Sequence, residues 1–188
     1  RERCNDFSVG IELEGVDDQP FEEAQYQTLA ALTNALQARY GNLAFAGHSD
    51  IAPQRKEDPG PLFPWKRLAD EGLIDWPDAA KVAERQREYD RELPDIDWFQ
   101  QRLFRHGFEV PRNGQLDQAT VRVISAFQMK YRPAKYDGMP DAETAAILDV
   151  MTANRDKKIW AAAQGKEHAV DDSNTPELLP VITNKKGR

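Results

Sequence analysis

The spacing of apolar residues changes partway through the first fifty positions, and that change excludes any fold built from one kind of element. Over 7–14, Val9, Ile11 and Leu13 alternate with small or polar residues, the period-two mark of a half-buried strand. Gly15, Asp17, Asp18 and Pro20 then break the chain into a loop. From about 22 to 40 the period lengthens. Tyr26, Leu29, Leu32, Leu36 and Tyr40 recur at three- and four-residue steps, which lays one apolar stripe along a helix. Gly41-Asn42 supplies a stop, and 43–48 reads as a short apolar strand. The expected class is α+β.

Residues 49–64 contain four prolines and one glycine, so they form an ordered loop. A short helix is expected at about 64–71, with Pro64 near its start and Gly72 after its end. The stretch 74–95 carries a dense charge run at 81–92 and reads as a solvated helix or linker. Beyond it the helical period returns in three stripes: Trp98, Phe99, Leu103 and Phe104; Val121, Ile124, Phe127 and Tyr131; Ala145, Ile147, Leu148 and Met151. Gly-x-x-Asp-x-x-Thr occurs twice, at 114–120 and 138–144. A turn at glycine followed by aspartate as N-cap explains that spacing, because the carboxylate accepts from the first free backbone N–H groups of a helix. The expected organisation is a domain over 1–73, a charged linker over 74–95, a three-helix unit over 96–152 and a disordered tail over 153–188.

The formal net charge is -7 and the isoelectric point about 5.1. That argues against nucleic acid as the main partner, since phosphate binding relies on clustered Lys and Arg. No stretch approaches the roughly 20 apolar residues of a membrane helix. The single cysteine, Cys4, excludes an intrachain disulfide and identifies no compartment.

Three features of the first 73 residues carry chemistry. His48 follows an apolar strand, and Asp58 comes ten residues later across a proline-rich loop. Zinc accepts imidazole nitrogen and carboxylate oxygen, so the two could share one ion. By spacing alone a single histidine after an apolar strand is more often a hydrogen-bonded structural residue. Lys56, two before Asp58, is either a surface lysine or a cation placed to stabilise an oxyanion. Glu12 and Glu14 share one face of the first strand. One is a candidate general base, or both face solvent.

The run Arg-Glu-Arg-Cys-Asn-Asp-Phe-Ser-Val-Gly-Ile-Glu-Leu-Glu-Gly, followed by Gly-His-Ser-Asp-Ile-Ala-Pro-x-Arg-Lys-x-Asp-Pro-Gly-Pro, closely resembles the AmpD-like type-2 N-acetylmuramoyl-L-alanine amidases over about 1–71. The segment from Trp98 to Phe108, then Ala126-Phe127-Gln128 and the two glycine turns, resembles the peptidoglycan-binding domain that AmiD-type amidases append. The resemblance implies a partial mixed-sheet zinc-amidase domain followed by a three-helix peptidoglycan-binding bundle. It makes His48 and Asp58 zinc ligands, Glu12 the catalytic acid/base and Lys56 the oxyanion-stabilising cation. Arg3 and Arg55 are candidates for pairing with substrate carboxylates.

The implied reaction is zinc-dependent hydrolysis of the amide between N-acetylmuramic acid and L-alanine, with peptidoglycan or muropeptides as partners, in the periplasm or cell envelope or else the cytoplasm. The family's third zinc ligand is a histidine upstream of Arg1, and neither His106 nor His168 is a natural substitute. The chain is therefore expected to be N-terminally truncated. The alternative that follows is a non-catalytic peptidoglycan-binding protein.

Overall fold

The computed structural model describes residues 8–15, 19–41, 43–164 and 181–186. Arg3, Cys4 and His168 lie outside them. The described elements are β1 (Gly10–Gly15), α1 (Glu23–Tyr40), β2 (Ala46–Gly47), α2 (His48–Ile51), α3 (Trp65–Asp70), α4 (Ala79–Tyr89), α5 (Ile96–His106), α6 (Gln118–Tyr131), α7 (Ala142–Gln164) and β3 (Val181–Lys186). The chain divides into two compact units. One joins Arg1–Trp76 with Val121–Met139 and Glu177–Arg188, and the other comprises Pro77–Thr120 and Pro140–Pro176. An α+β arrangement with a helical segment is what these elements describe.

In the first unit three strands form a sheet in the order β1-β3-β2, with both described pairings parallel. Ile11 is buried on β1 while Glu12 and Glu14 are exposed, as the alternation requires. The start of α1 is tied down twice: Gln25 Oε1 accepts from the Glu22 N–H at 3.1 Å, and Gln25 Nε2 donates to the Glu14 carbonyl at 2.6 Å. Tyr26, Leu29, Thr33 and Leu36 form the buried face of α1. The expected stripe was placed slightly off: Leu32 and Tyr40 are exposed, and Thr33 is buried in their place. Leu32 sits on the flank of the 26-29-33-36 line, and Tyr40 is the last residue of the helix. Phe63, Trp65 and Leu68 complete the core beside Ile11 and Leu29; full burial of each such side chain stabilises by about 1.5–3 kcal/mol.

The expected tail over 153–188 is ordered in two places. Helix α7 runs on to Gln164, because 154–164 is rich in Ala, Lys and Arg and the next helix breaker is Gly165. Val181–Lys186 forms β3, with Val181 opposite Gly10 on one side and Ala46 on the other. The β-branched Val-Ile-Thr run favours a strand, and a strand there pairs the backbone edges of both β1 and β2.

Of the expected linker 74–95, Ile74 and Trp76 pack against the core of the first unit, and the charge run beyond them forms α4 in the second. Asp78 caps it by accepting from the Lys81 N–H at 3.0 Å, and none of its residues is buried. It packs on α7, where Asp149 lies 3.2 Å from Arg85 and 3.2 Å from Arg102. Burial pushes the Tyr89 phenol up to about 12, and Asp149 adds to the effect. The first glycine turn is built as its spacing predicts: Gly114 has φ 69° and Asp117 Oδ1 accepts from the Thr120 N–H at 2.7 Å. Gln100, fully buried on α5, pins that turn. Its Oε1 accepts from the Asn113 and Gly114 N–H groups at 3.0 and 2.9 Å, and its Nε2 donates to Thr120 Oγ1 at 2.9 Å. Gln128, in the first unit, holds the second turn likewise, accepting from the Gly138 N–H at 2.9 Å and donating to the Met139 carbonyl at 2.9 Å. Phe-Gln therefore repeats with the glycine turns, at 99–100 and 127–128.

Candidate active site

Strand β2 is two residues long and ends at Gly47, so His48 leaves the sheet at its carboxyl edge and opens α2. Parallel sheets present their ligand sites at that edge. The returning loop is brought in by two turns: the Arg55 and Lys56 N–H groups both donate to the Ala52 carbonyl at 3.0 Å, and the Ser49 N–H donates to the Asp58 carbonyl at 2.9 Å. The Asp58–Pro59 peptide is cis. Close approach is possible only because residue 47 has no side chain; a Cβ there would stand 2.5 Å from Pro59 Cδ.

These contacts put His48 Nδ1 2.8 Å from Asp58 Oδ2. The imidazole is 34 % exposed and the carboxylate 13 %, so solvent reaches the pair from the histidine side. The separation is that of a hydrogen bond and is shorter than the roughly 3–4 Å expected of two ligands near 2 Å from one zinc. Among the described residues no group of three or more His, Cys, Asp or Glu side chains converges as a metal site would need.

Glu12 is exposed on β1. The sheet register places it level with His48: Ile182 of β3 is opposite Ile11 on one side and Gly47 on the other. Two strand spacings, about 10 Å of backbone separation, lie between the two positions. Lys56 and Arg55 are exposed in the turn before Asp58, and neither side chain forms an ion pair or hydrogen bond among the described residues. Arg3 is outside the described residues.

Sequence reasoning missed Asp50. Its Oδ2 accepts from the Gly47 N–H at 2.9 Å and from Lys130 Nζ at 2.7 Å. An acidic residue three positions into a helix is a recognisable signal for the first contact; nothing local signals the second.

Residues 1–61 match the N-acetylmuramoyl-L-alanine amidase family and residues 92–148 the peptidoglycan binding domain family. The chain is homologous to the AmiD and AmpD amidases. It is 42 % identical over 161 residues to the N-acetylmuramoyl-L-alanine amidase AmiD of Escherichia coli, covering 79 % of this chain and 58 % of AmiD. Over 70 residues it is 61 % identical to the 1,6-anhydro-N-acetylmuramyl-L-alanine amidase AmpD of Enterobacter cloacae, covering 36 % of this chain and 37 % of AmpD. The chain thus spans between about a third and three fifths of the length of these relatives. Among solved structures, E. coli AmiD in complex with anhydro-N-acetylmuramic acid-L-Ala-D-gamma-Glu-L-Lys matches with a TM-score of 0.64 and 39 % identity, over 72 % of this chain and 53 % of that one. AmpDH3 of Pseudomonas aeruginosa with anhydromuramic pentapeptide matches with a TM-score of 0.66 and 34 % identity, over 73 % and 55 %. Among the described residues no helix is long and apolar enough to cross a membrane.

Proposed function

We propose that this chain belongs to a zinc-dependent N-acetylmuramoyl-L-alanine amidase that hydrolyses the amide between the lactyl group of N-acetylmuramic acid and L-alanine in peptidoglycan or its fragments. The observation that carries this reading is the His48–Asp58 pair, 2.8 Å apart at the carboxyl edge of a parallel strand. The donor types fit zinc, with imidazole nitrogen beside carboxylate oxygen, and His48 and Asp58 are the residues that would hold it. When bound, the ion supplies Lewis acidity to a carbonyl and lowers the pKa of water.

The chain's own groups do the remaining work. Glu12, exposed and level with His48, takes a proton from the attacking water and delivers it to the leaving alanine nitrogen, so that one amide and one water become a carboxylic acid and an amine. Lys56 carries the positive charge for the oxyanion, which requires its exposed side chain to fold inward over substrate. Arg55, and Arg3 with it, pair with stem-peptide carboxylates. Residues 92–148 hold the glycan-peptide network, and the cell envelope is the compartment in which such a substrate is met.

The test is release of stem peptide from an anhydromuropeptide by the zinc-loaded chain, read by mass spectrometry. Activity in the parent and its loss in His48→Ala, Asp58→Ala and Glu12→Gln support the reading; release that survives His48→Ala refutes it. The described residues bring two donors together, whereas a catalytic zinc takes three protein ligands. That favours a second reading, a non-catalytic peptidoglycan binder. Co-sedimentation with insoluble peptidoglycan, without release of stem peptide, is its signature.

A further inference from the structure

Lys130 is a charged residue with 8 % exposure, near the end of α6. It falls within the sequence that matches the peptidoglycan binding domain family, yet it packs in the unit that contains residues 1–76. A buried ammonium needs its donors satisfied and its charge balanced. Lys130 Nζ donates to Asp50 Oδ2 at 2.7 Å and to the Phe45 carbonyl at 3.1 Å, and lies 4.2 Å from the centre of the Trp65 ring. Its partners come from chain segments on both sides of His48: Phe45 immediately before β2, and Asp50 in α2.

We infer that Lys130 is a positioning residue for the His48–Asp58 pair, acting through Asp50. This rests on the amidase reading for its functional meaning and on geometry for its substance. The Asp50 carboxylate grips the Gly47 N–H at 2.9 Å, which holds the backbone turn from which the imidazole projects. With the lysine ammonium in place, that carboxylate is neutralised and kept in one rotamer. Without it, Asp50 becomes a shielded, uncompensated charge that turns toward water and releases Gly47. The same turn carries the Ser49 N–H that holds the Asp58 carbonyl at 2.9 Å, so both members of the pair lose their common anchor. A segment assigned by sequence to wall binding thereby supplies part of the frame of the hydrolytic site.

The experiment reads the imidazole directly, on the full chain without metal. With Nδ1 donating to the Asp58 carboxylate, His48 is held as the Nδ1–H tautomer, which long-range 15N–1H correlation spectra of 15N-histidine-labelled protein report. In Lys130→Met at least about half of the Nδ1–H population should be lost. Lys130→Met/Asp50→Asn should return toward the parent spectrum, because the amide needs no counter-charge and its oxygen still accepts from the Gly47 N–H. Phe127→Ala, one turn earlier on the same helix, should lower stability and leave the His48 tautomer as in the parent. A parent-like His48 signal in Lys130→Met overturns the proposal. So does loss of the folded spectrum in both Lys130→Met and the double variant, which makes the lysine a folding residue only. The readout needs no turnover, so a chain that never releases stem peptide sinks the amidase reading and leaves this one standing.

Discussion

Gly47→Ala is the substitution that tests the site's architecture most directly. The added Cβ would lie 2.5 Å from Pro59 Cδ, whereas carbon atoms rest at about 3.5–4.0 Å. Something must move by about 1 Å. Pro59 is buried, and its rigid ring cannot rotate away, so relief comes from lifting the loop at 58–59 off the strand end. The Ser49–Asp58 backbone hydrogen bond, 2.9 Å, and the His48–Asp58 contact, 2.8 Å, are the first to lengthen. An added 1 Å takes both past hydrogen-bond distance. Overpacking of this kind costs about 1–3 kcal/mol, and a 1 Å misplacement of reacting groups costs about 100-fold in rate. Urea unfolding followed by circular dichroism gives the first quantity, and stem-peptide release by an active form gives the second. A stability loss below about 0.5 kcal/mol with an unchanged His48 tautomer would refute the reasoning.

Three further outcomes are expected. Phe127→Ala should lower stability by about 3–5 kcal/mol, since the ring is fully buried and stands 4.7 Å from Tyr131; a small shift in the urea midpoint would show that it is not central. Gln100→Leu should cost about 2–4 kcal/mol by urea titration, because it strands the Asn113 and Gly114 N–H groups at about 1–3 kcal/mol for each that stays buried; wild-type stability would contradict this. Glu23 is held down at about 2 by the hydrogen bonds from Arg67, below its ordinary 4.5. Its folded pKa is depressed, so the stabilisation is present above about 4.5 and fades as pH falls toward 2. Thermal melts of Glu23→Gln should therefore sit below the parent at neutral pH and converge with it in acid, and a gap that persists at pH 2 would count against the pair as the cause.

The elements that carry their own instructions were legible locally. Tyr26, Leu29 and Leu36 of the α1 stripe, the glycine stops and the two aspartate caps each follow from residues within one or two turns of each other. Asp117 capping Thr120 and Asp141 capping Thr144, at 2.7 and 2.9 Å, are direct readings of the repeated spacing. The Phe-Gln repeat was visible too, but nothing local says that a glutamine on a helix will turn inward to hold a loop ten or more residues away. The charge run over 81–92 is helical as far as Tyr89 and buries none of those residues, and the Arg85–Asp149 pair at 3.2 Å joins it to α7.

Sequence alone determined that this chain mixes a strand-helix-strand segment with a helical one, and that His48 and Asp58 are the residues to watch. Periodicity, caps and motifs are short-range properties, so one sequence suffices for them. Only the tertiary structure decided that the two side chains meet at 2.8 Å, that Gly47 is bare to admit Pro59, that Val181–Lys186 enters the sheet between β1 and β2, and that Lys130 reaches Asp50 across 80 positions. Each of these joins residues far apart in sequence. The free energy that selects such contacts comes from filling a shared volume and pairing buried polar groups within it, and that is a property of the assembled chain.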